Sequence, residues 1–233
     1  MEFNYSNAVN VFTDASNLPA IKGRKTNIIC PAYVVTINGS MIEYGSKLIK
    51  NATASYGELF ALAMGIQAGL KYANTKLPIN IFSDSEISVS GCTVWLPKWY
   101  KNGEGNYYLT KKDKHPAANQ EIILDIIQMV CQSNTKINIL NILGHISNKS
   151  VRDMDRFTRY FFRANDIPFD SVPIRQLQQM AHFNDVVDNI SRTTLRNIAD
   201  PNHPIVCRKQ KQPNVYWYPK EEDIQHYASL VNT

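Results

Sequence analysis

At 233 residues, 44% hydrophobic and 19% charged, the chain has ordinary globular composition and enough length to bury a sizeable core. Its four cysteines (Cys30, Cys92, Cys131, Cys207) are scattered with no Cys-x-x-Cys. That excludes a disulfide scaffold and a cysteine zinc site, and the expected compartment is a reducing one. The net charge of +5 comes entirely from residues 1–168, with 18 Lys+Arg against 13 Asp+Glu, while residues 169–233 balance at 7 and 7; an acidic partner is therefore expected for the first two thirds.

Val9 to Phe12 is a β-rich run that stops at Thr13-Asp14-Ala15-Ser16, followed by a polar loop and the basic stretch Lys22-Gly23-Arg24-Lys25. Ile28 to Ile37 is β-branched and aromatic and breaks at Asn38-Gly39, a strong hairpin signal, before Met41 to Ile49 resumes as a strand. From about Ser55 to Ala73 the period changes: Leu59, Leu62, Ala63, Ile66 and Leu70 recur at helical steps. Asn80-Ile81-Phe82 reads as a buried strand running out into Ser83-Asp84-Ser85. Residues 92–114 interleave Trp95 and Trp99 with Lys98, Lys101, Lys111, Lys112 and Lys114, a mixture that suits nucleic acid and equally suits a solvated loop.

A helix is predicted over 119–131, a strand over 136–143 ending at Gly144-His145, and a helix over about 150–164. The last of these turns Phe157 and Phe161 inward and sets Arg152, Arg156, Arg159 and Arg163 in one outer stripe. After Pro168 come a long helix (about 174–198), a proline-bounded β-like piece (204–218) and a short helix (221–231). Residues 169–233 are expected to form a small α+β extension packed on a first domain of residues 1–168. Met1 to Tyr5 lacks signal-peptide character and no apolar run approaches membrane length, so no membrane partner and a cytoplasmic or otherwise intracellular location are expected.

Three acids stand at the ends or edges of core elements: Asp14, Glu58 and Asp84. Two of them have a plain structural reading. Glu58 would answer the helix dipole, and Asp84 would cap the helix that follows. Together with an acid further on, in a chain with a basic surplus, they form the kind of carboxylate set that holds divalent cations against phosphates.

The order strand-strand-strand-helix-strand-helix-helix-strand-helix, with Phe12-Thr13-Asp14-Ala15-Ser16, Tyr56-Gly57-Glu58-Leu59 and Phe82-Ser83-Asp84-Ser85 in place, resembles type 1 ribonuclease H of the retroviral and retroelement group over about residues 7–165. The resemblance implies an α/β fold with a mixed five-stranded sheet flanked by helices. It implies two Mg²⁺ ions, with Mn²⁺ as substitute, held by Asp14, Glu58, Asp84 and a fourth acid ten residues after a loop histidine, which here is Asp155 after His145, with Asp153 as a near competitor. His145 would assist proton transfer or product release. The expected activity is endonucleolytic hydrolysis of the RNA strand of an RNA–DNA hybrid, leaving 5′-phosphate and 3′-hydroxyl ends. A polymerase or reverse transcriptase is a further expected partner, and the oligomeric state is left open. Thr53, Ser55 and the 92–114 stretch (Trp95, Lys98, Trp99, Lys101, Lys111, Lys112, Lys114) would contact nucleic acid. The sequence departs from the family at Ala54-Ser55-Tyr56, where members often carry Asn or Gln before the Glu, and at Val151-Arg152, where many carry Asn-Glu ahead of the fourth acid. The alternatives are a nuclease of the same fold acting on double-stranded RNA or structured DNA, and a nucleic-acid-binding domain without catalysis.

Overall fold

The computed structural model describes residues 3–18, 27–96, 118–146, 150–197 and 219–231, together with the backbone of 205–207. The basic stretch at 22–25 and Lys98, Trp99, Lys101, Lys111, Lys112 and Lys114 lie outside the described residues.

Strands β1 (Val9–Leu18) and β2 (Ile28–Ile37) pair antiparallel. At the turn after β2, Asn38 and Gly39 take positive φ of 52° and 73°, the left-handed geometry that two-residue hairpins demand. The run expected as one strand over Met41 to Ile49 is two, β3 (Ser40–Ser46) and β4 (Leu48–Lys50), and both lie on β2. β5 (Ile79–Ser83) joins β1 in parallel, and β6 (Ile137–Asn141) joins β5 in parallel. The three-residue β7 (Ile205–Cys207) adds to β4 in parallel. The sheet order is β6-β5-β1-β2-β4-β7, with β3 beside β2. The sheet is mixed, as expected. It has seven strands instead of five because one run divides and the C-terminal segment contributes another.

Alternation along the strands splits the core in two. Val11, Ile29, Ile79, Ile81 and Ile139 face α1 (Ala54–Leu70), α3 (Gln120–Ser133) and α6 (Glu221–Leu230). Phe12, Val34, Phe82 and Leu140 face α4 (Val151–Ala164) and α5 (Ile174–Arg196). On this second face Phe12 stacks on Phe82 with ring centroids 4.8 Å apart, and Phe183 of α5 lies 5.5 Å from Phe12. The predicted inward pair on α4, Phe157 and Phe161, is fully buried.

The two helices nearest the C-terminal end of β1 are held close by small residues. A Cβ on Gly65 of α1 would stand 2.4 Å from Thr13 Cγ2, and one on Gly57 would stand 2.9 Å from Ile29 Cδ1. The backbone of α1 therefore rests directly on the sheet, as only glycine permits. On the other face the buried Ser191 hydroxyl of α5 accepts the Ser16 N–H at 2.7 Å and donates to the Cys30 carbonyl. One side chain thus ties α5 to both β1 and β2. No helix among the described residues is long and apolar enough to cross a membrane.

Candidate metal centre

Parallel pairing sets Phe12 beside Phe82 and Thr13 beside Ser83. Thr13 and Ser83 are each followed by an aspartate: Asp84 just past the C-terminal end of β5, where ligands gather in α/β folds, and Asp14 beside it within β1, which runs on to Leu18. Glu58 enters from the second turn of α1, brought within reach by the close seat of Gly57 on β2. Carboxylate oxygens of Asp14, Glu58 and Asp84 lie within 4.8 Å of one another.

The structural readings of these acids do not apply. α1 is capped by Thr53, whose side chain accepts the Tyr56 N–H, and α2 (Glu86–Ser90) is capped by Ser85, whose side chain accepts the Ser88 N–H. Neither Glu58 nor Asp84 is consumed as a cap. Asp14 is only 9% exposed, and its pKa is pushed up to about 7, first by burial and then by the charges of Asp84 and Asp188. Glu58 is raised well above the ordinary carboxylate range by burial and by Asp14 and Asp84. Asp84 is also raised by burial, against the opposing pull of an Asn184 hydrogen bond and of His145. Clustered acids that repel one another form a site a cation would relieve. Moreover, Glu58 Oε2 is buried and has no hydrogen-bond partner among the described residues, an expensive state for an acceptor unless something binds there.

The loop after β6 closes over Asp84. A Cβ on Gly144 would fall 2.1 Å from Asp84 Oδ2, so the backbone there lies against the carboxylate. His145 follows with φ of 53° and a side chain 79% exposed, its Nδ1 3.9 Å from Asp188 Oδ2.

Asp155 does not join this group. It sits on α4 with its side chain 53% exposed, its carboxylate paired to Arg159 at 2.6 Å. Neither Asp155 nor Asp153 lines the carboxylate cavity. The reason is which strands each helix crosses. α4 is packed at the β6 side, anchored by Asn165, which accepts the Asn141 N–H and donates to the Asn141 carbonyl, both at 2.8 Å. α5 crosses β1 and β2 and delivers Asp188, whose side chain is 12% exposed. Asp188 is salt-bridged to Arg192, faces His145, and lines the cavity with Asp14, Glu58 and Asp84.

Asp188 was legible by two signals that the spacing from His145 conceals. The buried stripe of α5 runs through Leu177, Ala181, Asn184, Asp188, Ser191 and Leu195, so Asp188 sits in the middle of an apolar face. The positions four and three before it are Asn184-Asp185, close to the Asn-Glu pair expected ahead of the fourth acid, whereas Asp155 is preceded by Val151-Arg152.

Of the expected nucleic-acid contacts, Thr53 and Ser55 are exposed at the start of α1, and Trp95 ends the π-helical turn Gly91–Trp95 with 39% exposure; none of the three lines the carboxylate cavity.

The family model described as RNase H matches residues 6–161, a span that ends before α5. A curated Ribonuclease H from Cyanothece sp. is 34% identical over 85 residues, 36% of this chain and 48% of that protein, so the chain spans about half the length of the curated relative it matches. The solved PFV RNase H domain is 20% identical at TM-score 0.49, covering 72% of this chain and 93% of that one. LC11-RNase H1, solved in complex with RNA/DNA hybrid, is 14% identical at TM-score 0.42, covering 67% and 98%. With the family match spanning β1 to β6 and the three carboxylates that those strands and the first helix bring together, the chain belongs to the RNase H family.

Proposed function

We propose that the chain is a divalent-cation-dependent endonuclease that hydrolyses the RNA strand of RNA–DNA hybrids, leaving 5′-phosphate and 3′-hydroxyl ends. The observation that supports this most is the convergence of Asp14, Glu58 and Asp84, with carboxylate oxygens within 4.8 Å of one another and a buried Glu58 oxygen that has no hydrogen-bond partner among the described residues. Their all-oxygen donor set suits Mg²⁺, or Mn²⁺ in its place. Asp188 is the fourth acid of the proposed set, in the place expected of Asp155. Two such ions, when bound, supply the charge that activates water and stabilises the leaving oxygen in phosphodiester hydrolysis.

The chain's own residues do the rest. β1 holds Asp14 within the sheet, the end of β5 holds Asp84, and α1 fixes Glu58, so the acceptors are oriented before substrate arrives. Asp14 and Glu58, which hold protons more tightly than ordinary carboxyls, give them up when a cation takes their place. His145, exposed on its loop beside Asp188, carries protons to or from the departing group. Thr53, Ser55 and Trp95, exposed in the fold, are the proposed nucleic-acid contacts, together with Lys98, Trp99, Lys101, Lys111, Lys112 and Lys114 on the strength of their sequence alone.

The test is cleavage of labelled RNA–DNA hybrid, double-stranded RNA and double-stranded DNA in Mg²⁺, Mn²⁺ or EDTA, with wild type and Asp84→Asn. Metal-dependent cutting of only the hybrid's RNA strand, lost in Asp84→Asn, is the expected result. Cutting confined to double-stranded RNA, or binding without cutting in either metal, overturns it.

A further inference from the structure

The carboxylate cavity does not end at the acids. It has a volume of about 720 Å³, and its lining also includes Ser16, Asn17 and, from the last turns of α5, Arg192 and Arg196. The lining thus joins an acidic cluster to two cations, of which Arg192 is paired with Asp188. Both cations come from a helix beyond the span matched by the family model, which stops at residue 161.

We propose that Arg192 and Arg196 form a phosphate-binding subsite that grips a backbone phosphodiester adjacent to the one held at the carboxylates. This rests on the functional reading above and names a contact that reading leaves open. Three observations carry it. Arg192 and Arg196 are one helical turn apart, on one face of α5, with their Cα atoms about 6 Å from each other, and both line the cavity. Arg192 is aimed by its ion pair with Asp188, and a guanidinium so held still has donors to spare. Arg196 is exposed and forms no salt bridge with the described residues. A cavity of this size lined by two guanidinium groups fits a phosphate on a chain, not an apolar ligand.

Arg156 provides the control. It carries the same charge, is exposed on α4, and lines neither the cavity nor the carboxylate cluster. Hybrid binding by the full chain is measured in EDTA by fluorescence anisotropy across a salt series, for wild type, Arg196→Gln, Arg192→Gln and Arg156→Gln. Arg196→Gln is expected to weaken binding about tenfold and lower the log–log salt slope by about one, with Arg156→Gln within about twofold of wild type. A single neutral methylphosphonate linkage is then walked along each strand. At one position it costs wild type about tenfold and costs Arg196→Gln nothing further. If Arg196→Gln behaves like Arg156→Gln, or its methylphosphonate profile matches wild type, the subsite is wrong, even where wild type cleaves the hybrid. If wild type fails to cleave yet the position-specific loss disappears in Arg196→Gln, the subsite stands and the hydrolytic reading falls.

Discussion

α4 and α5 lie on the same face of the sheet, and each carries an aspartate paired with an arginine four residues later: Asp155 with Arg159, and Asp188 with Arg192. Locally the two pairs are the same device, a helix-surface ion pair worth little in water. Their settings separate them. Asp155 leans into solvent beside the buried Met154–Phe157–Phe161 stripe, whereas Asp188 lies within the buried stripe of α5 and faces three other acids. Side-chain exposures of 53% and 12% express the difference. An acid on a helix acquires a chemical role from the strand that the helix crosses, and β1, which carries Asp14, lies under α5.

Paired substitutions put this contrast to work. Asp188→Asn should lower kcat for hybrid cleavage on the order of 10³-fold, the scale of several kcal/mol of lost charge stabilisation. Asp155→Asn should stay within about twofold, since an exposed pair contributes under about 1 kcal/mol. Equal losses in the two variants would erase the distinction. Gly144→Ala should cost on the order of 100-fold in kcat, because its methyl group displaces the Asp84 carboxylate; unchanged kcat would mean that the loop yields freely.

The acids also leave a mark on stability. Without a cation, burial and the neighbouring acids push the Asp14 carboxyl up to about 7, from an ordinary aspartate value of about 3.9 in the unfolded chain. Between those values the folded state binds a proton that the unfolded chain has lost, so this contribution to stability is present in acid and fades as pH rises. Glu58 acts in the same direction. Urea unfolding at pH 5 and pH 8 in EDTA should therefore show a loss, on the order of a few kcal/mol, that shrinks in Asp14→Asn. A loss of the same size in that variant would refute the assignment. Smallest of all, Ser191→Ala should destabilise the fold by about 1–2 kcal/mol by stripping a partner from the Cys30 carbonyl; an unaltered denaturation midpoint would show that α5 is seated without it.

Much of this site is legible in the chain. Asp14 and Asp84 each end a short apolar run and Glu58 follows Gly57 near the start of a helix, local marks that survive folding. β1 nevertheless does not stop at Asp14 but runs on to Leu18, because pairing with β2 extends it through the segment expected as a polar loop. The sheet's central order follows from the same runs. Asp188 is another matter. Reached by counting ten residues from His145, the fourth acid falls on Asp155, but the chain makes an additional helix between the loop and the sheet-crossing helix. Counting cannot register that, although the polar residues Asn184 and Asp188 inside an apolar stripe do. β7 was partly concealed for a different reason: three residues pairing with an edge strand owe their form to the partner, not to their own pattern.

The most direct measurement is a Mn²⁺ titration, read by electron paramagnetic resonance of the free ion, on wild type, Asp84→Asn, Asp155→Asn and Asp188→Asn at pH 8. The account predicts that Asp84→Asn and Asp188→Asn lose affinity about tenfold or more while Asp155→Asn binds as wild type does. Weakened binding in Asp155→Asn with Asp188→Asn unaffected would contradict it.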